Sequence, residues 1–131
     1  VFSEETGVLE YCDMGHAWIY AVDGDRLQQI TTQSDYCPVG LSEISSVVTR
    51  TLRIAPGTAL MLISDGFVEQ ENRERQSFPI TETGRCIAET IKDGEDPVRA
   101  KIKILESFFA FKRDVPQHDD ISLLLFHYRD L

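Results

Sequence analysis

The stretch Ala59-Leu60-Met61-Leu62-Ile63-Ser64-Asp65-Gly66 constrains the fold more than any other part of the chain. Five apolar residues run unbroken into a hydroxyl, a carboxylate and a glycine. Such a run reads as a buried strand that delivers Asp65 to a sheet edge, with Gly66 letting the backbone turn sharply. Near the C-terminus the order is reversed. In His118-Asp119-Asp120-Ile121-Ser122-Leu123-Leu124-Leu125-Phe126 the carboxylates come first and the apolar strand follows. Paired antiparallel, these strands bring Asp65 beside Asp119 and Asp120. Two carboxylates ~4 Å apart repel by about 4 kcal/mol at an effective dielectric of about 20. A divalent cation reverses that sign. Mg²⁺ or Mn²⁺ prefers about six oxygens, several of them from water, so one or two carboxylates per ion is an ordinary share.

The 131 residues, 42% of them hydrophobic, suffice for one compact core. Thirteen basic against twenty-two acidic residues give a net charge of −9. That balance argues against nucleic acid or an anionic membrane as partner, since both are polyanions. No apolar run reaches membrane-span length, and nothing resembles a signal peptide. Cys12, Cys37 and Cys86 are odd in number and lack CxxC spacing, which reads as reduced thiols in a cytoplasmic compartment. Cys12 and His16 have the spacing of one half of a zinc site, but no second Cys/His pair accompanies them.

In chain order, Val8 to Asp13 and Ala17 to Val22 read as strands of an antiparallel meander joined by Met14-Gly15-His16. Asp23-Gly24 signals a hairpin returning through Arg26 to Ile30. Thr31 to Glu43 reads as a surface loop punctuated by Pro38 and Gly40. Ser46 to Ile54 is β-rich, with Val48, Leu52 and Ile54 on one face, although Arg50 falls there too. Ala55-Pro56-Gly57 turns the chain into the central strand. Glu69 to Ser77 is charged and reads as an exposed connection. Ile80, Gly84, Ile87 and Ile91 recur at helical spacing between a cap at Thr81 and a stop at Gly94. A second helix has Asp96 as cap, Pro97 in its first position, and a stripe of Val98, Ile102, Leu105 and Phe109 widened by Phe108 and Phe111. The expectation is an α/β fold, an antiparallel sheet packed with helices, in which the two helices return the chain so that Asp119 arrives beside Asp65.

Four ordered motifs carry a family resemblance. Leu52 to Glu69, containing Leu60-Met61-Leu62-Ile63-Ser64-Asp65-Gly66, resembles the segment L-x-x-G-D-x-L-L-L-Y-T-D-G-V-x-E of the metal-dependent protein phosphatases, the PPM or type 2C-like family. The likeness is to the bacterial branch of the sporulation stage II phosphatase and the stress-response sigma-pathway phosphatases. Tyr11-Cys12-Asp13-Met14-Gly15-His16 is similar to that branch's Y-x-N-A-G-H, Pro38-Val39-Gly40-Leu41 to its P-L-G-L, and Asp119-Asp120-Ile121-Ser122-Leu123 to its D-D-I-T-L. The resemblance implies a PPM-type β-sandwich with flanking helices. It implies metal-ligand roles for Asp65 and Asp119, with Asp120 orienting a ligand or water and Gly66 lending its backbone to the metal centre. It also implies two Mn²⁺ or Mg²⁺ ions and a metal-held water that attacks phosphoserine or phosphothreonine. The partner implied is a phosphorylated regulatory protein such as an anti-sigma-factor antagonist, and a homodimer is left open. Two binuclear-site ions ~3.5–4 Å apart acidify water and neutralise phosphoryl oxygens, so no protein nucleophile is needed.

The chain departs from the pattern at Thr58 for Asp, Met14 for Ala and Ser64 for Thr. The family's first two acidic motifs precede the segment that begins here at Tyr11. Residues 1–131 therefore correspond to the C-terminal portion of a single phosphatase-like domain, and this piece alone is expected to be inactive. The competing reading is a non-catalytic phosphatase-like adaptor that binds regulatory proteins, with both visible ligands as relics. His16 and His118 read as a structural and an exposed histidine respectively.

Overall fold

In the computed structural model, which describes residues 1–30, 37–41, 43 and 46–129, the apolar run becomes the centre of an antiparallel sheet. The elements are β1 (Phe2–Ser3), β2 (Val8–Tyr11), β3 (Ile19–Asp23), β4 (Arg26–Gln29), β5 (Arg50–Arg53), β6 (Ala59–Ile63), α1 (Asp65–Val68), α2 (Ile80–Lys92), α3 (Pro97–Lys112) and β7 (Leu123–His127). They form two antiparallel sheets, one ordered β1-β2-β5 and the other β4-β3-β6-β7. The α/β architecture expected above is the one observed.

β6 shows why its sequence is apolar without alternation. Ala59, Met61 and Ile63 point into the core beneath α2 and α3, where they meet Tyr20, Ile87, Ile104 and Phe108. Leu60 and Leu62 point the other way, into a gap of about 460 Å³ that Leu9 and Tyr11 of the opposite sheet also line. A strand covered on both faces has no side for polar residues. β7 follows the same rule with its outer edge freer. Leu123 and Leu125 pack on the helical side, while Leu124 and Phe126 line the gap. Phe2 closes one end of the gap, its ring 5.1 Å from Phe126 and 4.9 Å from Tyr128 in edge-on contacts.

Several expectations need correction. β2 and β3 are not hairpin partners: β2 pairs with β1 and β5, and β3 with β4 and β6. Met14-Gly15-His16 is thus a crossover between sheets, and it looked like a turn because a crossover also needs glycine and polar residues. The strand over Ser46 to Ile54 shrinks to β5, whose residues are exposed except for half-buried Leu52. Ile54 is buried but lies just beyond β5, and Val48 is 53% exposed. The surface loop read over Thr31 to Glu43 lies partly outside the described residues. From Asp65 the chain forms the short helix α1, which places Phe67 in the core.

Both long helices are where periodicity puts them, but their ends and faces differ. α2 starts at Ile80 after Pro79, so Thr81 lies inside its first turn rather than capping it. It stops as read from Gly94: Gly94 N–H donates to Ile91 O and Glu95 N–H to Thr90 O, each at 3.0 Å, the paired bonds of a Schellman end. Asp96 caps α3 by accepting from Val98 N–H at 2.8 Å, with Pro97 in first position. The core-facing stripe of α3 is Ala100, Ile104 and Phe108, supported by Phe111. Of the stripe read from sequence, Val98, Ile102 and Phe109 face outward, at 53%, 37% and 49% exposure, and only Leu105 packs against the core.

At the end of β7 remote from Asp119, His127 enters a small cavity with Thr90, Glu95, Pro97 and Leu125. Both its ring nitrogens are buried with no hydrogen-bond partner among the described residues. Burial, reinforced by the Arg129 charge, pushes its pKa below the usual histidine range. The unfolded imidazole takes up a proton near pH ~6.5 whereas the folded one resists until lower pH. Its contribution is therefore whole above that pH and declines as pH falls through the folded pKa. Urea midpoints measured at pH 7.5 and pH 5 should show a smaller acid loss for His127→Leu than for the parent.

Candidate functional site

The site is built by the register of two strands. In the β6–β7 ladder Leu62 faces Leu124 and Ile63 faces Leu123, so the residues after β6 meet the residues before β7. The ladder continues in side-chain form. Ser64 N–H donates to Ser122 O at 3.1 Å, Ser64 Oγ donates to Asp120 O at 3.1 Å, and Ser122 N–H donates to Ser64 Oγ at 2.9 Å. The hydroxyl at position 64 thus clamps the two chains together where sheet pairing ends.

Beyond the clamp, Asp65 and Gly66 open α1, and Gly66 lies against the backbone of Asp119 and Asp120. A Cβ placed on Gly66 would overlap the Asp120 carbonyl oxygen and stand 3.1 Å from Asp120 C and 3.2 Å from Asp119 O. This close backbone approach is what glycine is needed for here. Each carboxylate is oriented by a neighbouring amide: Asp65 Oδ1 accepts from Gly66 N–H at 3.0 Å, and Asp119 Oδ1 accepts from Asp120 N–H at 2.7 Å. Asp65, Asp119 and Asp120 are all exposed, so a ligand can reach them. Gly66→Ala is expected to force the β7 approach apart, at a cost of about 1–3 kcal/mol. A urea midpoint unchanged from the parent would contradict that.

One further element reaches the end of β6. Ile63 N–H donates to Trp18 O at 3.2 Å, which brings the crossover before β3 alongside the end of β6. Asp13 organises that crossover. It is 2% exposed, and its Oδ1 accepts from Gly15 N–H at 3.1 Å and from His16 N–H at 2.8 Å. Gly15, at φ 94°, packs where a Cβ would stand 2.7 Å from Pro38 Cγ, so two of the four motifs meet in space. His16 itself is exposed.

Gln70 was hidden within a stretch read as exposed. It is fully buried; its Nε2 donates to Pro116 O at 3.2 Å and its Oε1 accepts from His118 N–H at 3.4 Å. It anchors the segment that leads into Asp119. The charged run around it carries no periodicity that could reveal a buried amide. His118 is exposed, as expected.

Two carboxylates with adjacent backbone carbonyls are the oxygen chemistry that Mg²⁺ or Mn²⁺ prefers. They fit a share of such a site and not the whole. Among the described residues no three His, Cys, Asp or Glu side chains gather into a set that could hold a metal ion.

The two antiparallel sheets, one of them covered by helices, match solved PP2C phosphatase domains in fold. The SiaA-PP2C domain of Pseudomonas aeruginosa shares it with a TM-score of 0.70 at 20% identity, over 94% of this chain and 47% of that one. The phosphatase domain of the cell fate determinant SpoIIE from Bacillus subtilis, presoaked in Mn, matches with a TM-score of 0.64 at 15% identity, over 100% of this chain and 55% of that one. The RsbU and RsbW domains of Rv1364c from Mycobacterium tuberculosis match with a TM-score of 0.65 at 19% identity, over 95% of this chain and 33% of that one. At these identities the likeness shows the fold alone, and the chain spans about half the length of the first two structures. No curated protein matches it. The chain belongs to the Stage II sporulation protein E (SpoIIE) family, whose model it matches over residues 1–129.

Proposed function

We propose that this chain is the C-terminal portion of a metal-dependent protein serine/threonine phosphatase domain and that its Asp65–Asp119 edge is one half of the catalytic site. The observation that carries the reading is the β6–β7 register, which sets Asp65 and Gly66 against Asp119 and Asp120 at one exposed edge. Family membership supports the reaction class.

Asp65 and Asp119 would hold Mn²⁺ or Mg²⁺, with Gly66 supplying backbone at the centre. When bound, such ions supply charge neutralisation for a phosphoryl group and an acidified water. The chain's own residues do the positioning. Ser64 locks the two aspartate-bearing segments together, and Gln70 anchors the approach to Asp119. The substrate is a phosphoserine or phosphothreonine on a regulatory protein of the anti-sigma-factor antagonist kind, a reading supported by the resemblance of the four motifs. Cys12, Cys37 and Cys86 are free thiols, which supports a cytoplasmic setting. No helix among the described residues is long and apolar enough to cross a membrane.

The test is phosphate release from a phosphoserine peptide by the full-length protein. Turnover should appear with Mn²⁺, vanish on chelation and return on re-addition, and residues 1–131 alone should bind Mn²⁺ weakly without turning over. Chelator-resistant hydrolysis, or tight two-ion binding by residues 1–131 in calorimetry, would overturn the assignment.

A further inference from the structure

The register of β6 and β7 persists beyond the strands. Ile63 faces Leu123 inside the ladder. Outside it, Ser64 N–H donates to Ser122 O, Gly66 lies against Asp120, and Gln70 Nε2 donates to Pro116 O. Each advance along one segment is matched by an equal retreat along the other. The two aspartate-bearing segments thus pass each other in step. Ser64 ties them at the near end and Gln70 at the far end, and Asp65 and Asp119 lie between the ties.

The far tie has little help. Residues 116–120 belong to no helix or strand and are all exposed, so apolar burial does little to hold them. The Arg73–Asp114 pair links the same two segments, but its side chains are 64% and 62% exposed, and such surface pairs contribute little. Gln117 Nε2 donates to Asp119 O at 2.8 Å, a bond internal to the strap. Gln70 is different because it is fully buried and its own place is set by the core. Phe67 is buried three residues before it, and Gln70 O accepts from the N–H of buried Phe78 at 2.9 Å.

The partners require an amide. Gln70 Nε2 faces two carbonyl oxygens, Glu71 O at 2.9 Å and Pro116 O at 3.2 Å, while Oε1 takes the His118 N–H at 3.4 Å. A carboxylate there keeps the bond from His118 but sets charged oxygen against two carbonyls. Leucine fills a similar volume and makes none of the three bonds.

We propose that Gln70 is a positioning residue for the metal edge, setting Asp119 at the spacing from Asp65 that a divalent cation requires. The inference rests on the reading of both aspartates as metal ligands, and it assigns part of the metal affinity to a side chain outside the ligand set.

The test is Mn²⁺ binding to the full-length protein, followed by the electron paramagnetic resonance signal of the free ion. Affinity should fall by about tenfold in Gln70→Leu and in Gln70→Glu, the scale seen when a ligand's supporting contacts are removed. Gln70→Glu, closest in size, keeps the test open if the leucine variant does not fold. Ile104→Ala weakens the core away from the strap and should bind Mn²⁺ like the parent. In the metal-free protein, hydrogen exchange over residues 116–120 should quicken in the Gln70 variants and not in Ile104→Ala. Their turnover of a phosphoserine peptide should fall further at limiting than at saturating Mn²⁺. Parental Mn²⁺ affinity in a folded Gln70 variant, equal weakening in Ile104→Ala, or unchanged exchange over 116–120 would overturn the proposal and leave the phosphatase reading standing. A parent protein that binds no Mn²⁺ would remove that reading and this inference with it.

Discussion

Asp119→Asn in the full-length protein is expected to lower Mn²⁺-dependent hydrolysis of a phosphoserine peptide by at least about 10²–10³-fold, equivalent to roughly 3–4 kcal/mol of barrier. Asp65→Asn should behave alike. The amide is the informative replacement because it keeps the local bonds. Asp119 Oδ1 accepts from Asp120 N–H, and Asp65 Oδ1 accepts from Gly66 N–H; an asparagine oxygen accepts both. Only the charge that a cation needs is removed. Both positions are exposed, so stability should stay within about 0.5 kcal/mol of the parent. Undiminished turnover with the fold intact would sink the assignment of either residue.

The second large effect concerns the register of α3. Phe108 is fully buried, its ring 4.9 Å from Phe67 and 5.3 Å from Phe78 in edge-on contacts. Phe108→Ala should cost about 3–5 kcal/mol, the usual range for emptying a buried phenylalanine site. The adjacent Phe109 is 49% exposed, and Phe109→Ala should cost far less, close to the ~0.5 kcal/mol typical of surface changes. Urea unfolding of the pair decides it. Comparable losses for the two would mean that the helix is turned from the orientation described.

That pair also marks the limit of what the chain discloses by pattern. α3 carries two apolar stripes of helical period, one through Ala100, Ile104 and Phe108 and another through Val98, Ile102 and Phe109. Periodicity recognises the helix but does not choose between them; packing against β6 and β7 chooses. The same distinction applies to strands. β6 and β7 were legible because each is an apolar run bounded by acid on one side, so direction and edge follow together. The partner of β2 was not legible. It is β5, with Leu9 facing Leu52, and local sequence holds no trace of a pairing across so many residues.

The site divides in the same way. Asp65, Gly66, Asp119 and Asp120 could be placed together because strand chemistry dictates where they emerge. Gln70 anchors the approach to that edge and Asp13 orders the crossover before β3, both by burying polar groups, and buried polar groups announce themselves only through the partners that satisfy them. Asp13 stands next to a Gly-His turn, a faint signal of an acidic side chain capping backbone amides. Gln70 offered none.

β6 has one further consequence. Flanked by β3 and β7 and covered on both faces, it belongs to the last part of the molecule to open in native fluctuations. Asp65 is joined to it through Ser64 alone. Hydrogen exchange is therefore expected to release the outer three-stranded sheet before the β6 ladder from which Asp65 emerges.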